Sequence, residues 1–172
     1  MSRFAVTVVG HDRPGIVADV TGALAEHGGN IEDSSMTLLR GHFAWTLIVD
    51  IPDATAADLD QTLANVNADR LKVAVIELAD EDDADEQAAD YWLTVHGADR
   101  PGIVSAVTRV VAEVGGNLTN LTTRLAGGMY VVGADVDFPT GVNVQQVTEQ
   151  LTTTATELGV VAALRPADSD VL

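Results

Sequence analysis

Several residue types are missing or scarce in this chain of 172 residues, and each shortage excludes a class of protein. Cysteine is absent, which excludes disulfides, thiolate metal sites and a cysteine nucleophile. No apolar run approaches the roughly 18 residues of a membrane span, and residues 1–4 lack the apolar segment of a secretory signal. We therefore expect a cytoplasmic protein with no membrane attachment.

Basic side chains are also scarce, since 9 Lys and Arg stand against 26 Asp and Glu, for a net charge of −17. Residues 1–78 hold eleven acids and five bases, and residues 91–172 hold eight acids and four bases. The twelve residues between them, 79–90, hold seven acids and no base. Because nucleic-acid binding needs clustered Lys and Arg to neutralise phosphates, the sequence predicts no direct binding to nucleic acid.

The signatures of common catalytic and cofactor sites are missing as well. The chain has no Walker A loop, no dinucleotide-binding glycine fingerprint and no Gly-x-Ser-x-Gly elbow. Its four histidines do not have the spacing of metal ligands. The sequence thus predicts a protein that is not an enzyme, with no cofactor and no metal site.

The chain does contain an internal repeat. The sequence Asp-Arg-Pro-Gly-Ile-Val occupies positions 12–17 and returns at positions 99–104, which is 87 residues later. Of the 19 positions from 12 to 30, 13 are identical at 99–117, and both copies end on Gly-Gly-Asn. The offset continues without a gap to Pro52 and Pro139. We interpret this as the tandem duplication of a module of roughly eighty residues.

The repeat sets the predicted domain boundaries. We expect one module at residues 1–78 and a second at residues 91–166, joined by the acidic stretch 79–90 as a solvated linker. The copies differ at His27, whose position is occupied by Val114 in the second module, which predicts a partly buried helix histidine.

Apolar periodicity predicts the same order of elements in both modules. Each begins with an alternating strand, followed by the Asp-Arg-Pro-Gly turn, a helix, two strands joined by a hairpin, a second helix and a last strand. In the first module the second helix is expected from about Thr55 to Ala68. This βαββαβ order predicts an α+β protein of two ferredoxin-like modules packed against each other, each with a four-stranded antiparallel sheet and helices on one face. We expect these third-strand residues in the cores: Trp45, Leu47, Val132 and Ala134.

The chemistry of the repeated turn suits a free amino acid. A helix start offers free N–H groups and a partial positive charge that attract a carboxylate. Asp12 or Asp99 is placed to cap the helix or to hold an ammonium group. Asn30 or Asn117 begins the neighbouring strand, and its amide both donates and accepts hydrogen bonds. The same residues also have an interpretation without any ligand, in which Asp caps the helix, Pro-Gly makes the turn and Gly-Gly-Asn ends the helix.

Both copies resemble ACT domains, small amino-acid-sensing modules of βαββαβ fold, through the Asp-Arg-Pro-Gly-Ile turn and the Gly-Gly-Asn helix exit. Two ACT modules with no further domain is an arrangement similar to the glycine cleavage system transcriptional repressor family. This resemblance implies a regulatory protein that senses a small free amino acid and acts through a partner regulator protein, with possible homodimerisation. It also implies that ligands lie where two modules meet. The ligand-binding residues that it implies are Asp12, Arg13, Gly15, Ile16, Asn30, Asp99, Arg100, Gly102, Ile103 and Asn117.

Two other interpretations stay open on the sequence alone. One is a ligand-free structural or dimerisation module, or the detached regulatory half of an enzyme such as a deformylase or nucleotidyltransferase. The other is an acylphosphatase-like enzyme, a class that shares the fold and uses a loop arginine with a strand asparagine. Its candidates here are Arg13 or Arg100 with Asn30 or Asn117, but proline replaces that class's glycine-rich anion loop.

Overall fold

The computed structural model describes residues 2–67, 71–79 and 90–167, which divide into two compact units. We call residues 2–79 module 1 and residues 90–167 module 2. Residues 80–89, which form most of the predicted acidic linker, and Ala68, the predicted end of the second helix, lie outside the described residues. The domain boundaries therefore stay predictions.

Module 1 is one antiparallel sheet with two helices. Its strands lie in the order β2-β3-β1-β4, so that β1 pairs with both β3 and β4 in the centre. The elements in chain order are β1 (Ser2–His11), α1 (Ile16–Glu26), β2 (Asn30–Leu39), β3 (His42–Ile51), α2 (Ala56–Asn67) and β4 (Leu71–Leu78).

Module 2 repeats this arrangement with the strand order β6-β7-β5-β8. The βαββαβ order predicted for each module is thereby confirmed, as is the four-stranded antiparallel sheet. The elements are β5 (Tyr91–Ala98), α3 (Ile103–Glu113), β6 (Asn117–Ala126), β7 (Met129–Asp137), α4 (Val144–Glu157) and β8 (Val160–Pro166).

Each core lies between the sheet and its two helices, and alternation along the third strand determines which side chains enter it. Trp45 and Leu47 of β3 are buried in module 1, as are Val132 and Ala134 of β7 in module 2. These four residues were predicted to be in the cores, and the prediction is confirmed. The apolar face of helix α3 is also buried, and it consists of Ile103, Val107, Val110 and Val111.

The Gly-Gly pair lets each first helix stop and turn directly into the edge strand. Gly28 has φ +71, a left-handed conformation that glycine adopts without steric cost. Gly29 has no room for a side chain, because a Cβ there would stand 2.9 Å from the Leu24 carbonyl oxygen and 3.2 Å from the Ile51 side chain. This tight exit places Asn30 at the first position of β2.

The prediction for His27 is wrong, since its side chain is exposed at the C-terminal end of α1. The ring reaches across to α2: Nδ1 lies 3.1 Å from the Ala23 carbonyl oxygen, and Nε2 lies 3.1 Å from the Thr62 hydroxyl. Its polar ring thus finds partners at the rim of the core rather than inside it. None of the helices in the described part of the chain is both long and apolar enough to cross a membrane.

Candidate functional site

The Asp-Arg-Pro-Gly turn of module 1 joins β1 to α1 and is fixed at both ends. At its start, the Asp12 N–H donates to the Gly41 carbonyl oxygen at 3.1 Å, which ties the turn to the β2–β3 hairpin. At its end, Gly15 is the N-cap residue of α1, with φ +91. Only glycine adopts this left-handed conformation readily, so the turn depends on glycine at this position.

A glycine N-cap has no side chain to satisfy the first amides of the helix. The first helical hydrogen bond runs from the Asp19 N–H to the Gly15 carbonyl oxygen at 2.9 Å, so the preceding amides of residues 16–18 point out of the helix start. Within the described residues, no side chain caps α1 or α3. The option that Asp12 and Asp99 are helix caps is therefore wrong, because the N-cap position falls on the glycine three residues later.

An open cleft of about 590 Å³ lies beside this helix start, between α1 and the edge strand β2. We call it the α1 cleft. Met36 and Leu38 of β2 line it with more than half of each side chain exposed, while Phe43 at its floor is buried. The remaining lining residues come from the turn and the first turn of α1: Asp12, Arg13, Gly15, Ile16, Val17 and Ala18.

Arg13 is held along the turn by groups of its own module. Its Nη2 forms a 2.8 Å ion pair with the carboxylate of Asp19, and its Nη1 donates to the Pro14 carbonyl oxygen at 3.2 Å. The guanidinium charge is thus compensated by a neighbouring carboxylate. In module 1 the helix amides, rather than Arg13, are the groups best placed to receive an anion.

The corresponding turn of module 2 has the same backbone. Gly102 is the N-cap of α3 with φ +92, and its carbonyl oxygen accepts from the Ala106 N–H at 2.9 Å. The cleft beside it, which we call the α3 cleft, is smaller, at about 380 Å³. It is lined by Asp99, Arg100, Pro101, Gly102, Ile103, Val104, Ser105 and Tyr130.

Arg100 takes a different environment from Arg13, because the position of Asp19 is occupied by Ala106 in module 2. Its guanidinium lies instead against Gly159, just after α4: a Cβ built on Gly159 would stand 3.2 Å from Nη1 of Arg100. The two copies of the turn therefore share a backbone and differ in how the arginine is held.

The structure brings the turn residues of each module together and keeps the asparagines apart from them. Asn30 and Asn117 are the first residues of β2 and β6, at the opposite end of the intervening helix. Eleven residues of helix span roughly 16 Å, which is longer than a small amino acid. Asn117 lines a second cavity of about 500 Å³ with Thr108 and Arg109, which shares Ser105 with the α3 cleft.

Sequence reasoning did not assign the residues of the cleft walls to the site. Met36 and Leu38 continue the alternation of an ordinary strand, and Phe43 was assigned to the alternating third strand. The feature that could have identified them as lining residues is their position at the hairpin end of the strands, where Leu38 pairs with Phe43. Tyr130 was missed for the same reason, and Ser105 was missed because it belongs to the ordinary helix pattern of α3.

A family model of the ACT domain matches residues 2–75 and 92–164 of the chain. The UPF0237 protein of Methanopyrus kandleri is 56% identical over 54 residues, which are 31% of this chain and 60% of that protein. The glycine cleavage system transcriptional repressor of Escherichia coli is 26% identical over 119 residues, 69% of this chain and 63% of that protein. The chain thus spans less than two thirds of the length of these curated relatives.

Two solved structures cover nearly the whole chain. The crystal structure of an unknown protein from Galdieria sulphuraria has a TM-score of 0.80 and 31% identity, and it covers 96% of this chain and 98% of that one. The structure of a putative glycine cleavage system transcriptional repressor has a TM-score of 0.70 with 20% identity, covering 96% and 97% of the two chains. At that identity the second likeness concerns the fold alone.

Proposed function

Because the chain belongs to the ACT domain family, we propose that it is a regulatory protein that binds a small free amino acid at the Asp-Arg-Pro-Gly turn of its modules. A partner protein recognises the ligand-bound state. The observation that supports this most directly is the contrast between helix starts within each module.

The second helix of each module begins with a side-chain cap. Asp58 and Thr55 bond each other reciprocally at the start of α2, and the Asn143 side chain accepts from the Gln146 N–H at the start of α4. The first helices begin at Gly15 and Gly102 instead. A side-chain cap stabilises a helix by about 0.5–2 kcal/mol. The helices α2 and α4 thus have side-chain caps, whereas α1 and α3 begin at glycine. The first amide N–H groups of α1 and α3 are therefore available as donors beside the two clefts.

The turn has groups for both the carboxylate and the ammonium group of an amino acid. A ligand carboxylate at the helix amides gains charge-assisted hydrogen bonds, which are shorter and stronger than neutral ones. Asp12 lines the α1 cleft and Asp99 lines the α3 cleft, so each supplies a carboxylate within the same cleft for the ligand's ammonium group. The proposal therefore assigns Asp12, Gly15 and Ile16, with their counterparts in module 2, to ligand binding, and gives Arg13 a structural part in the turn.

The charge of the chain supports action through a partner rather than directly on nucleic acid. The chain carries −17 and no excess of bases in either half, so a direct attraction to phosphates is absent from its composition. The E. coli relative is named as a transcriptional repressor of the glycine cleavage system. By extension we place this chain in the cytoplasm, in control of glycine cleavage or one-carbon gene expression, as a non-catalytic protein that is free to form a homodimer.

The test is a thermal-unfolding screen of the purified chain against the twenty amino acids. Ligand at about 100 times its dissociation constant stabilises the fold by roughly 2.7 kcal/mol, which raises the unfolding midpoint by several degrees. Calorimetry on each hit then gives its affinity and stoichiometry. If no amino acid raises the midpoint, the sensor proposal fails and a ligand-free pairing module becomes the better account. Hydrolysis of an acyl phosphate would favour the enzyme interpretation instead.

A further inference from the structure

The walls of the two clefts differ in a consistent direction. At three positions of the α1 cleft, the residue related by the 87-residue offset in module 2 bears a hydroxyl, and two of these counterparts line the α3 cleft. The pairs are Ala18 and Ser105, Met36 and Thr123, and Phe43 and Tyr130.

The structure shows that these positions are equivalent in space as well as in sequence. Met36 pairs with Trp45 across β2 and β3, and Thr123 pairs with Val132 across β6 and β7, in the same register. Ser105 and Tyr130 line the α3 cleft. Ala18, Met36 and Phe43 line the α1 cleft, together with Val17 and Leu38.

The apolar wall of the α1 cleft is accessible and has no cover within its module. Met36 is 56% exposed and Leu38 is 54% exposed, because they lie on the helix side of the edge strand beyond the reach of α1. An apolar ligand side chain placed against them would remove apolar surface from water on both sides. The helix start at Gly15 and the acidic residue Asp12 both line this cleft, so the backbone of the same ligand has groups of either charge available to it.

From this difference we infer that the two modules select amino acids of different classes: the α1 cleft a long apolar side chain, such as methionine or leucine, and the α3 cleft a short polar one, such as serine or threonine. Both clefts, at about 590 Å³ and about 380 Å³, are larger than any amino acid, so the selection rests on the chemistry of the walls. A hydroxyl on the ligand finds partners at Ser105 and Tyr130, whereas an apolar side chain there leaves those hydroxyls without one. The inference rests on the proposed function, since it needs amino-acid binding at the turns.

Calorimetric titration of the full chain with L-methionine and with L-serine tests it. Each ligand should bind at one site per chain, and saturation with one should leave the affinity for the other unchanged. Met36→Thr should weaken methionine binding about tenfold, because it removes apolar contact area from the wall. Tyr130→Phe should weaken serine binding by about three- to tenfold through loss of one hydrogen bond. Neither variant should alter binding of the other ligand.

Leu39→Thr is the matched control for Met36→Thr. Leu39 lies on the same strand with a similar exposure of 58%, but it is outside the α1 cleft. Its substitution should leave both affinities unchanged. Met36 and Leu39 are exposed, and Tyr130→Phe keeps the ring that packs against the core of module 2, so folding is retained.

The outcomes separate the inference from the proposed function. If both ligands compete for the same sites, or if Met36→Thr and Leu39→Thr have equal effects, the assignment of side-chain classes is overturned while amino-acid binding stands. If neither these two nor any of the other eighteen amino acids binds, the proposed function and this inference fail together.

Discussion

The hydroxyl of Thr55 donates to the carboxylate of Asp58 at 2.7 Å, and the Asp58 N–H donates back to the same hydroxyl at 3.3 Å. The Thr55 N–H also donates to this carboxylate, at 2.9 Å. This reciprocal pair is a capping box at the start of α2. The hydrogen bonds from Thr55 lower the pKa of Asp58 below its ordinary value of 3.8.

The capping box gives a prediction about pH. Because the pKa of Asp58 is lowered by folding, its stabilising contribution is fully present above the unfolded value, about 3.9, and is lost as the pH falls through the folded value. Asp58→Asn should therefore lower the unfolding midpoint at pH 7, and the difference from the parent should shrink in acid. Asp60→Asn, in the same helix, is the control. A constant difference at all pH values would contradict this account.

A second prediction concerns the core face of β3. Leu47 is fully buried, and Leu47→Asp would place an unpaired charge there, which should cost several kcal/mol of unfolding free energy, on the order of 3–5. Thr46→Asp, on the exposed side of the same strand, should change it by no more than about 0.5 kcal/mol. Urea unfolding followed by tryptophan fluorescence measures both. Equal midpoints for the two variants would reverse the assignment of the faces.

The fold could be predicted largely because its signals are local. Alternation in the third strand depends on a single periodicity, and the core residues predicted from it were confirmed, as was the resemblance to ACT domains. Because of the repeat, each element occurs twice in the sequence, so its pattern could be compared between two copies. A pattern that a single module leaves ambiguous is thus decided by its copy.

The parts of the site that were missed depend on tertiary geometry. Asp12 is a good helix-capping residue by type, but the left-handed backbone of Gly15 moves the N-cap three residues further on. The exposure of Met36 depends on how far α1 extends over the edge strand, which no strand pattern contains. His27 is exposed at the end of α1, and its ring lies within hydrogen-bonding distance of Thr62 across the helix pair. Each of these features depends on the relative positions of two elements in the fold, which a local sequence pattern does not specify.

A third prediction contrasts two glycines near or within α1. Gly15 has φ +91, so Gly15→Ala forces a side chain into the left-handed region and should cost about 1–2 kcal/mol. Gly22 lies inside the helix with no atom near a built Cβ, so Gly22→Ala should stabilise by about 0.5–1 kcal/mol. Chemical denaturation measures the change in unfolding free energy of both variants, which should have opposite signs. If Gly15→Ala is neutral, the turn does not depend on its left-handed glycine.

A fourth prediction is that the purified chain does not retard duplex DNA at physiological salt. Its charge of −17 opposes contact with phosphates, and its 9 Lys and Arg are outnumbered by 26 Asp and Glu, so few basic groups are available for counterion release. An electrophoretic mobility assay at several salt concentrations measures this. A shift by the chain alone that disappears steeply as salt rises would contradict the proposed need for a partner.

The last prediction concerns Asn30 and Asn117, which the structure places far along each helix from the turns. Asn30→Ala and Asn117→Ala each remove one donor and one acceptor. Because the proposed ligand lies at the turns, roughly 16 Å away along each helix, both variants should leave the affinity unchanged. An asparagine that bound the ligand would instead cost about 1.5–3 kcal/mol at its own site, as expected for a hydrogen bond to a charged group. Titration calorimetry of the two variants tests the sites separately. Leu63→Ala is the control: Leu63 lies on the buried face of α2, so its loss should lower stability by about 2–5 kcal/mol and leave affinity unchanged. Unchanged affinity in both asparagine variants would restrict the ligand to the turn and its cleft, since those residues lie together within one module.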